Sequence, residues 1–160
     1  MGTLTHASDR LVEHVSRHGV EVRVWGNGWE RGPRHANLRL ERRPIYGEDY
    51  VRCLCATDVN LGFLRKANRD LHTTRSVEIP ACGAFMLAER TAEHLALFAA
   101  GREADYFGDA DELLAKVRWW LERDAERRAV ARAGRERCLA SGYDLPSMLR
   151  AMLASLGAGP

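Results

Sequence analysis

The apolar residues of this chain come in short blocks whose spacing changes between helical and strand-like. A helix is predicted over 8–18, with Ser8 as its N-cap and Gly19 at its end. Its apolar stripe consists of Leu11, Val12 and Val15. Residues 20–25 then alternate apolar and polar side chains, which predicts a strand. Because helices and strands continue to alternate along the chain, the pattern predicts an α/β fold with a parallel sheet.

The remaining elements are predicted from the same periodicities and from capping residues. Further strands are predicted at 38–40, 58–64, 84–88 and 104–107. Further helices are predicted at 48–56, after Thr73 and Thr74, at 91–98, from Asp109 or Asp111 to 122, at 125–139 and at 145–156. In a parallel sheet, ligands bind beyond the carboxyl ends of the strands. By this rule the loops expected to carry a site are 26–29, 65–75 and 101–103.

Composition limits the class of protein without identifying its chemistry. The chain has 160 residues, of which 46% are hydrophobic and 29% charged, with a net charge of +2. These values are typical of one compact domain and predict no general affinity for nucleic acid or membranes. No apolar run approaches the roughly 20 residues of a membrane helix. Residues 1–6 lack the features of a signal peptide, so a cytoplasmic location is expected.

The four cysteines are interpreted as structural residues. Their spacing matches no zinc ribbon or zinc finger, so no metal site is predicted. Cysteine behaves as a small hydrophobic residue when it is buried. We therefore expect buried free thiols at Cys53, Cys55, Cys82 and Cys138.

The most informative stretch is 75–89, Arg-Ser-Val-Glu-Ile-Pro-Ala-Cys-Gly-Ala-Phe-Met-Leu-Ala-Glu. It predicts a short helix capped by a threonine hydroxyl, limited by Pro80, and followed by Gly83 with positive φ. The apolar run after Gly83 predicts a strand that is buried on both faces. The stretch resembles the donor-binding motif of GT-B glycosyltransferases and is most similar to the CgeB-like (spore-maturation) family. The other segments that carry the resemblance are Arg10, 24–29, 46–47, 58–63 and 101–103.

The resemblance implies a single Rossmann-like domain over residues 1–160 that binds a nucleotide sugar. In that family such a domain is the C-terminal half of a two-domain enzyme, which moves a sugar from an NDP-sugar donor to an acceptor. Its first strand, for which only 3–5 could stand, and its N-terminal acceptor domain are expected to be lacking. The chain would then be a C-terminal fragment, a split subunit or a sequence that starts late, and it would be incomplete as an isolated transferase. An N-terminal-domain partner chain or a homo-oligomer could complete it. The NDP-sugar is expected as substrate, with no cofactor and no catalytic metal.

Individual roles follow from the same resemblance. Glu78 would accept hydrogen bonds from the nucleotide ribose, although a glutamate in a first helical turn is also favoured by the helix dipole. Arg75 and the helix-end amides beside Thr74 would hold the diphosphate. Asp70 and His72 are the candidates for catalysis: Asp70 could contact sugar hydroxyls, and a protonated His72 could donate to phosphate. Both also fit ordinary turn contacts.

Other residues are expected to complete the donor site. Trp29 or Tyr46 could stack on a base or a sugar, whereas Trp25 is assigned to the core. The further donor-binding candidates are Arg10, Gly26, Gly28, Trp29 and Arg65. The competing interpretation is a non-catalytic nucleotide-binding or protein-interaction module with the same fold, docking a partner through Trp29, Trp119 or Trp120. Other nucleotide-binding α/β proteins are disfavoured, because no Gly-x-Gly-x-x-Gly or Walker sequence follows a predicted strand.

Overall fold

The structure is a computed structural model that describes residues 6–27, 29, 32, 34–64 and 70–157. The helices in these ranges are α1 (His6–Arg17), α2 (Gly47–Ala56), α3 (Arg75–Ala81), α4 (Ala92–Leu97), α5 (Ala110–Leu121), α6 (Asp124–Ala140) and α7 (Leu145–Gly157). The strands are β1 (Val22–Val24), β2 (Leu38–Leu40), β3 (Asn60–Gly62), β4 (Met86–Glu89) and β5 (Asp105–Phe107). The predicted α/β class, with Rossmann-like parallel strands flanked by helices and with helices at the C-terminus, is confirmed.

The described strands form two sheets rather than one. β1 pairs with β2, and β3, β4 and β5 pair in that order. Every pairing is parallel, with Val22 opposite Leu38 and Asn60 opposite Met86. No described strand joins β1 to β3.

The core has two layers, one on each face of the three-stranded sheet. One layer packs Val15 of α1 and Leu113 of α5 against Leu87. The other packs Ile79 of α3 against Met86. Neighbouring residues of a strand point to opposite faces, and both Met86 and Leu87 are buried. The prediction that this strand is covered on both sides is therefore confirmed.

Two of the predicted helix caps are present, and two are not. Ser8 is the third residue of α1, which begins at His6, so the prediction that Ser8 is its N-cap is wrong. The Thr91 hydroxyl accepts from the His94 amide at 3.0 Å, and the Asp109 carboxylate accepts from the Glu112 amide at 2.8 Å. Asp109, not Asp111, is thus the cap of α5. Thr74 at the N-cap of α3 has helical backbone angles, and its hydroxyl makes no capping bond. The prediction of a threonine cap at α3 is therefore wrong.

The end of α3 is set by Gly83 rather than by Pro80. Pro80 is the sixth of the seven residues of α3, so the prediction that it limits the helix is wrong. A proline near the end of a short helix removes only one hydrogen bond, and the helix continues to Ala81. Gly83 has φ of 73°, as predicted, and its amide donates to the Pro80 carbonyl at 2.8 Å. A left-handed residue here turns the chain from α3 into β4.

The prediction of buried thiols is confirmed only for Cys138. Cys53 and Cys82 are half-buried, Cys55 is exposed, and all four are free. No three His, Cys, Asp or Glu side chains in the described ranges are grouped so that they could hold a metal ion. Among the described helices, none combines the length and the apolar character needed to cross a membrane.

Candidate functional site

A cleft of about 980 Å³ lies between β1 and β3 and follows both strands to their carboxyl ends. Along the strands its lining is mainly apolar, from α1, β1, β3 and α5. At the carboxyl ends the lining becomes polar and includes the segment that leads into α3. The rule for ligand sites in parallel sheets therefore applies to this end of the cleft.

The structure brings most of the described candidate residues to the lining of this cleft. The candidates that line the cleft are Gly26, Trp29, Tyr46, Asp70, His72, Thr74, Arg75 and Glu78. Arg10 is exposed on α1 and is not part of the lining. Gly28 and Arg65 lie outside the described residues, so their predicted roles stay predictions.

Glu78 is held in place by Tyr50 of α2. The Tyr50 hydroxyl donates to Glu78 Oε2 at 3.1 Å. Burial, reinforced by the Glu78 charge, raises the pKa of Tyr50 to about 12, so the hydroxyl remains a donor at neutral pH. A carboxylate has about four acceptor positions, so one bond to Tyr50 orients Glu78 without saturating it.

Only some of the backbone amides at the start of α3 have acceptors among the described residues. The Thr73 amide donates to Ser76 Oγ at 3.0 Å. The amides of Ser76, Val77 and Glu78 donate to threonine carbonyls: Ser76 to Thr73, and Val77 and Glu78 to Thr74. Within the described residues, the Thr74 and Arg75 amides have no such acceptor. The predicted contact of helix-end amides with a diphosphate therefore stays a prediction for these two amides, and α3 has only seven residues, so its dipole is small.

The two catalytic candidates differ in their surroundings. Asp70 is half-buried and lines the cleft. His72 is exposed, and its Nδ1 hydrogen-bonds to the Glu93 carboxylate of α4. Since Nδ1 is engaged, a hydrogen bond from His72 to phosphate would have to come from Nε2.

A buried hydrogen-bonded chain anchors the start of α3 behind the cleft. His94 Nδ1 lies 2.6 Å from the Glu89 carbonyl and Nε2 lies 2.7 Å from Ser76 Oγ. Because a carbonyl only accepts, Nδ1 carries the proton, and Nε2 accepts from the serine hydroxyl. Ser76 and His94 are both buried, and neither lines the cleft. The pair therefore positions α3 and does not act as a nucleophile and base.

The buried imidazole of His94 makes the stability of the protein depend on pH. Burial lowers the pKa of His94 from its ordinary value near 6.5. As pH falls below about 6.5, the unfolded chain takes up a proton that the folded chain resists, so stability is full above that pH and is lost below it. The expected slope is up to about 1.4 kcal/mol per pH unit. Urea unfolding between pH 7.5 and 5 measures it.

His94→Asn is the matched control for this prediction. Asparagine retains an amide that can donate, but it does not titrate in this range. The other histidines are unchanged in the variant, so the difference in slope isolates His94. Equal pH slopes for the wild type and the variant would contradict the prediction.

The burial of the two tryptophans is the reverse of the prediction. Trp29 is 2% exposed and packs with Val12 and Leu38. Trp25 is half-buried, and the Arg23 guanidinium lies 4.7 Å from its ring centroid. A tryptophan packed in the core has no free face for a base or sugar, so of the two predicted stacking residues Tyr46 is the exposed one.

The loop 101–103 does not belong to the carboxyl edge. It follows α4 and comes before β5, so it lies at the amino end of that strand. The Glu103 carboxylate accepts from the Ala99 amide at 2.8 Å and stabilises the turn. The prediction that this loop carries a ligand site is wrong, because the rule applies only to residues that follow a strand.

Comparison with known proteins gives one family. Residues 7–154 match the sequence profile of a family described as glycosyl transferase-like. No curated protein matches the chain significantly. The matched range begins in α1 and ends in α7, so it includes all described residues that line the cleft.

Proposed function

Because the chain belongs to the glycosyl transferase-like family, we propose that it binds a nucleoside diphosphate sugar, as donor for transfer to an acceptor. The proposed site is the polar end of the cleft. The observation that carries the proposal is that Arg75 and Glu78 line this cleft together with Asp70 and His72. Residues three apart on a helix are neighbours on one face. A cation beside a carboxylate suits a ligand that has both a diphosphate and a vicinal diol.

The chemistry assigns a different part of the donor to each side chain. The Arg75 guanidinium would form a two-pronged contact with the diphosphate. Glu78, oriented by Tyr50, would accept from the ribose hydroxyls. When the bond from the sugar C1 to the diphosphate oxygen breaks, the electron pair leaves with the diphosphate, and Arg75 would stabilise that charge. Asp70 would contact the sugar, and His72 Nε2 would donate to phosphate when the imidazole is protonated.

Within glycosyltransferases, we further propose a CgeB-like identity on the motif 75–89. Three features of the motif support it. Arg75 and Glu78 lie in the cleft, Gly83 makes the left-handed turn, and the following strand is buried on both faces.

Calorimetric titration with UDP, GDP, TDP and CDP tests the donor site. We expect saturable binding of one of these diphosphates. Arg75→Ala and Glu78→Ala should each weaken it about 10- to 100-fold, because a hydrogen bond to a charged group contributes roughly 1.5–3 kcal/mol. Arg102→Ala is the matched control, because Arg102 is exposed and is not part of the cleft lining.

The titration results distinguish a wrong choice of binding residues from a wrong choice of ligand. If one diphosphate binds and both variants bind it like the wild type, the site has been assigned to the wrong residues. If the folded protein binds none of the four, the proposal that this chain binds the donor is wrong.

A second candidate function is a protein-interaction module. The observation that favours it is the apolar surface of α7, on which five described leucine and methionine side chains are between 49% and 68% exposed. These residues are Leu145, Met148, Leu149, Met152 and Leu153. Of the tryptophans suggested for docking, Trp29 and Trp120 are buried, and only Trp119 is exposed. Stable self-association in sedimentation, with no nucleotide binding, would favour this function over the first.

A further inference from the structure

Two thiols from distant parts of the chain lie together at the ends of α2 and α3. Cys55 is the penultimate residue of α2, and Cys82 is the residue that directly follows α3. The Cys55 thiol donates to the Cys82 carbonyl at 3.4 Å, although the two residues are 27 positions apart in sequence. The fold therefore holds the sulfur of one cysteine against the backbone of another.

This contact belongs to two helices that lie side by side. The hydroxyl of Tyr50 on α2 donates to Glu78 on α3, and both residues come before the cysteines of their helices. Since the two contacts occur in the same order along both helices, α2 and α3 run in the same direction where they meet. Cys82 keeps helical backbone angles. The approach of the two thiols is thus set by the packing of regular elements.

A small molecule can reach the pair from outside the cleft. Cys55 is exposed, Cys82 is half-buried, and both are free. Neither residue is part of the cleft lining. Chemistry at this pair is therefore separate from the binding of a nucleotide in the cleft, and either can fail without the other.

The surroundings of the cysteines set the order in which they react. Burial raises the pKa of Cys82, and the neighbouring Cys55 adds to this effect, so the two thiols are within electrostatic range of each other. Only a thiolate attacks a disulfide, so the exposed Cys55 reacts first and Cys82 second. Cys138 is buried, and burial raises the pKa of its thiol to about 11, so it stays protonated and shielded.

We propose that Cys55 and Cys82 form a thiol–disulfide exchange site. A low-molecular-weight disulfide oxidises the pair to an intramolecular disulfide, which ties the end of α2 to the end of α3. To form this bond, Cys55 gives up its contact with the Cys82 carbonyl and turns to Cys82 Sγ. A low-molecular-weight thiol reverses the modification.

The exchange proceeds in two balanced steps. The Cys55 thiolate attacks one sulfur of the small disulfide, the S–S bond breaks, and one small thiolate leaves with the electron pair and takes up a proton. The Cys82 thiolate then attacks Cys55 Sγ and expels the second small thiolate, which is also protonated. The two cysteines together lose two electrons and two protons, and one small disulfide is reduced to two thiols.

The probe is glutathione at a series of fixed ratios of its oxidised and reduced forms, applied to the full chain in buffer and in urea. Remaining thiols are blocked by alkylation, and intact mass spectrometry counts them. We expect the ratio of oxidised to reduced pair to be at least about tenfold higher in the folded chain, because the helices raise the effective concentration of the thiols. Equal ratios with and without urea would overturn the proposal, as would a folded chain that never loses two thiols.

Serine variants identify the two partners. Cys82→Ser should stop after the first step and carry one glutathione on Cys55, and Cys55→Ser should form no intramolecular disulfide. Cys53→Ser is the matched control, because it removes a half-buried thiol of the same helix and should be oxidised like the wild type. An intramolecular disulfide that persists in Cys55→Ser or Cys82→Ser, or one that is lost in Cys53→Ser, would overturn the assignment. If a variant does not fold, the comparison of the wild type with and without urea decides.

Discussion

Gly134→Ala is expected to lower the free energy of unfolding by about 2–4 kcal/mol, at the upper end of overpacking effects. Gly134 is a buried residue of α6. A Cβ built on it would lie 2.3 Å from the Glu103 carbonyl oxygen and 3.3 Å from Pro80 Cβ. The carbonyl belongs to the backbone and cannot rotate away like a side chain. The clash outweighs the gain of about 1 kcal/mol that alanine brings to a helix.

Urea unfolding of this variant measures the effect. Ala129→Ser is the matched control, because it adds one atom at an exposed position of the same helix. The control should stay within about 0.5 kcal/mol of the wild type. If Gly134→Ala is equally mild, α6 does not approach the turn before β5 as closely as the structure shows.

Asp105→Ala is expected to cost about 2–4 kcal/mol of stability. Asp105 is buried in β5 and accepts from Trp120 Nε1 at 2.8 Å, from Lys116 Nζ at 2.7 Å and from the Tyr106 amide at 2.8 Å. Its removal leaves the buried indole N–H of Trp120 without this acceptor, which costs about 1–3 kcal/mol. The Lys116 side chain is 28% exposed, so water offsets part of the loss of the ion pair.

Asp111→Ala is the control for this change. The Asp111 side chain is 96% exposed, so its removal should alter stability by no more than about 0.5 kcal/mol. Both variants are compared by urea unfolding with tryptophan fluorescence as the signal. Similar midpoints for the two variants would show that the buried carboxylate does not hold β5 to α5.

Much of the fold was predictable because its signals are local. Capping residues such as Thr91 and Asp109 act within three residues, and the left-handed turn at Gly83 depends on its own backbone. The two wrong predictions at α3 concern its N-cap and its proline, and in both cases a neighbouring residue decided the outcome. The Ser76 and Val77 amides donate to threonine carbonyls instead of a threonine hydroxyl, and a proline was accommodated inside a short helix.

One part of the candidate site was predictable because it lies in the single segment that follows β3. The rule for parallel sheets predicted that this segment carries a site, and it contains Asp70, His72, Arg75 and Glu78. Tyr50 and His94 were missed, because their partners lie 28 and 18 residues away and no spacing signals such contacts. The donor-binding roles themselves stay predictions until the nucleotide titrations are made.

The sequence by itself determined the α/β class, the order of helices and strands, and the family resemblance. Periodicity, caps and motifs each depend only on residues that are close together in the chain. Only the tertiary structure decided that Trp29 is buried, that Tyr50 holds Glu78, and that the described strands form two sheets. These features depend on which distant segments pack together. Packing follows the shape and burial of whole elements, so it is not encoded in any single stretch of the chain.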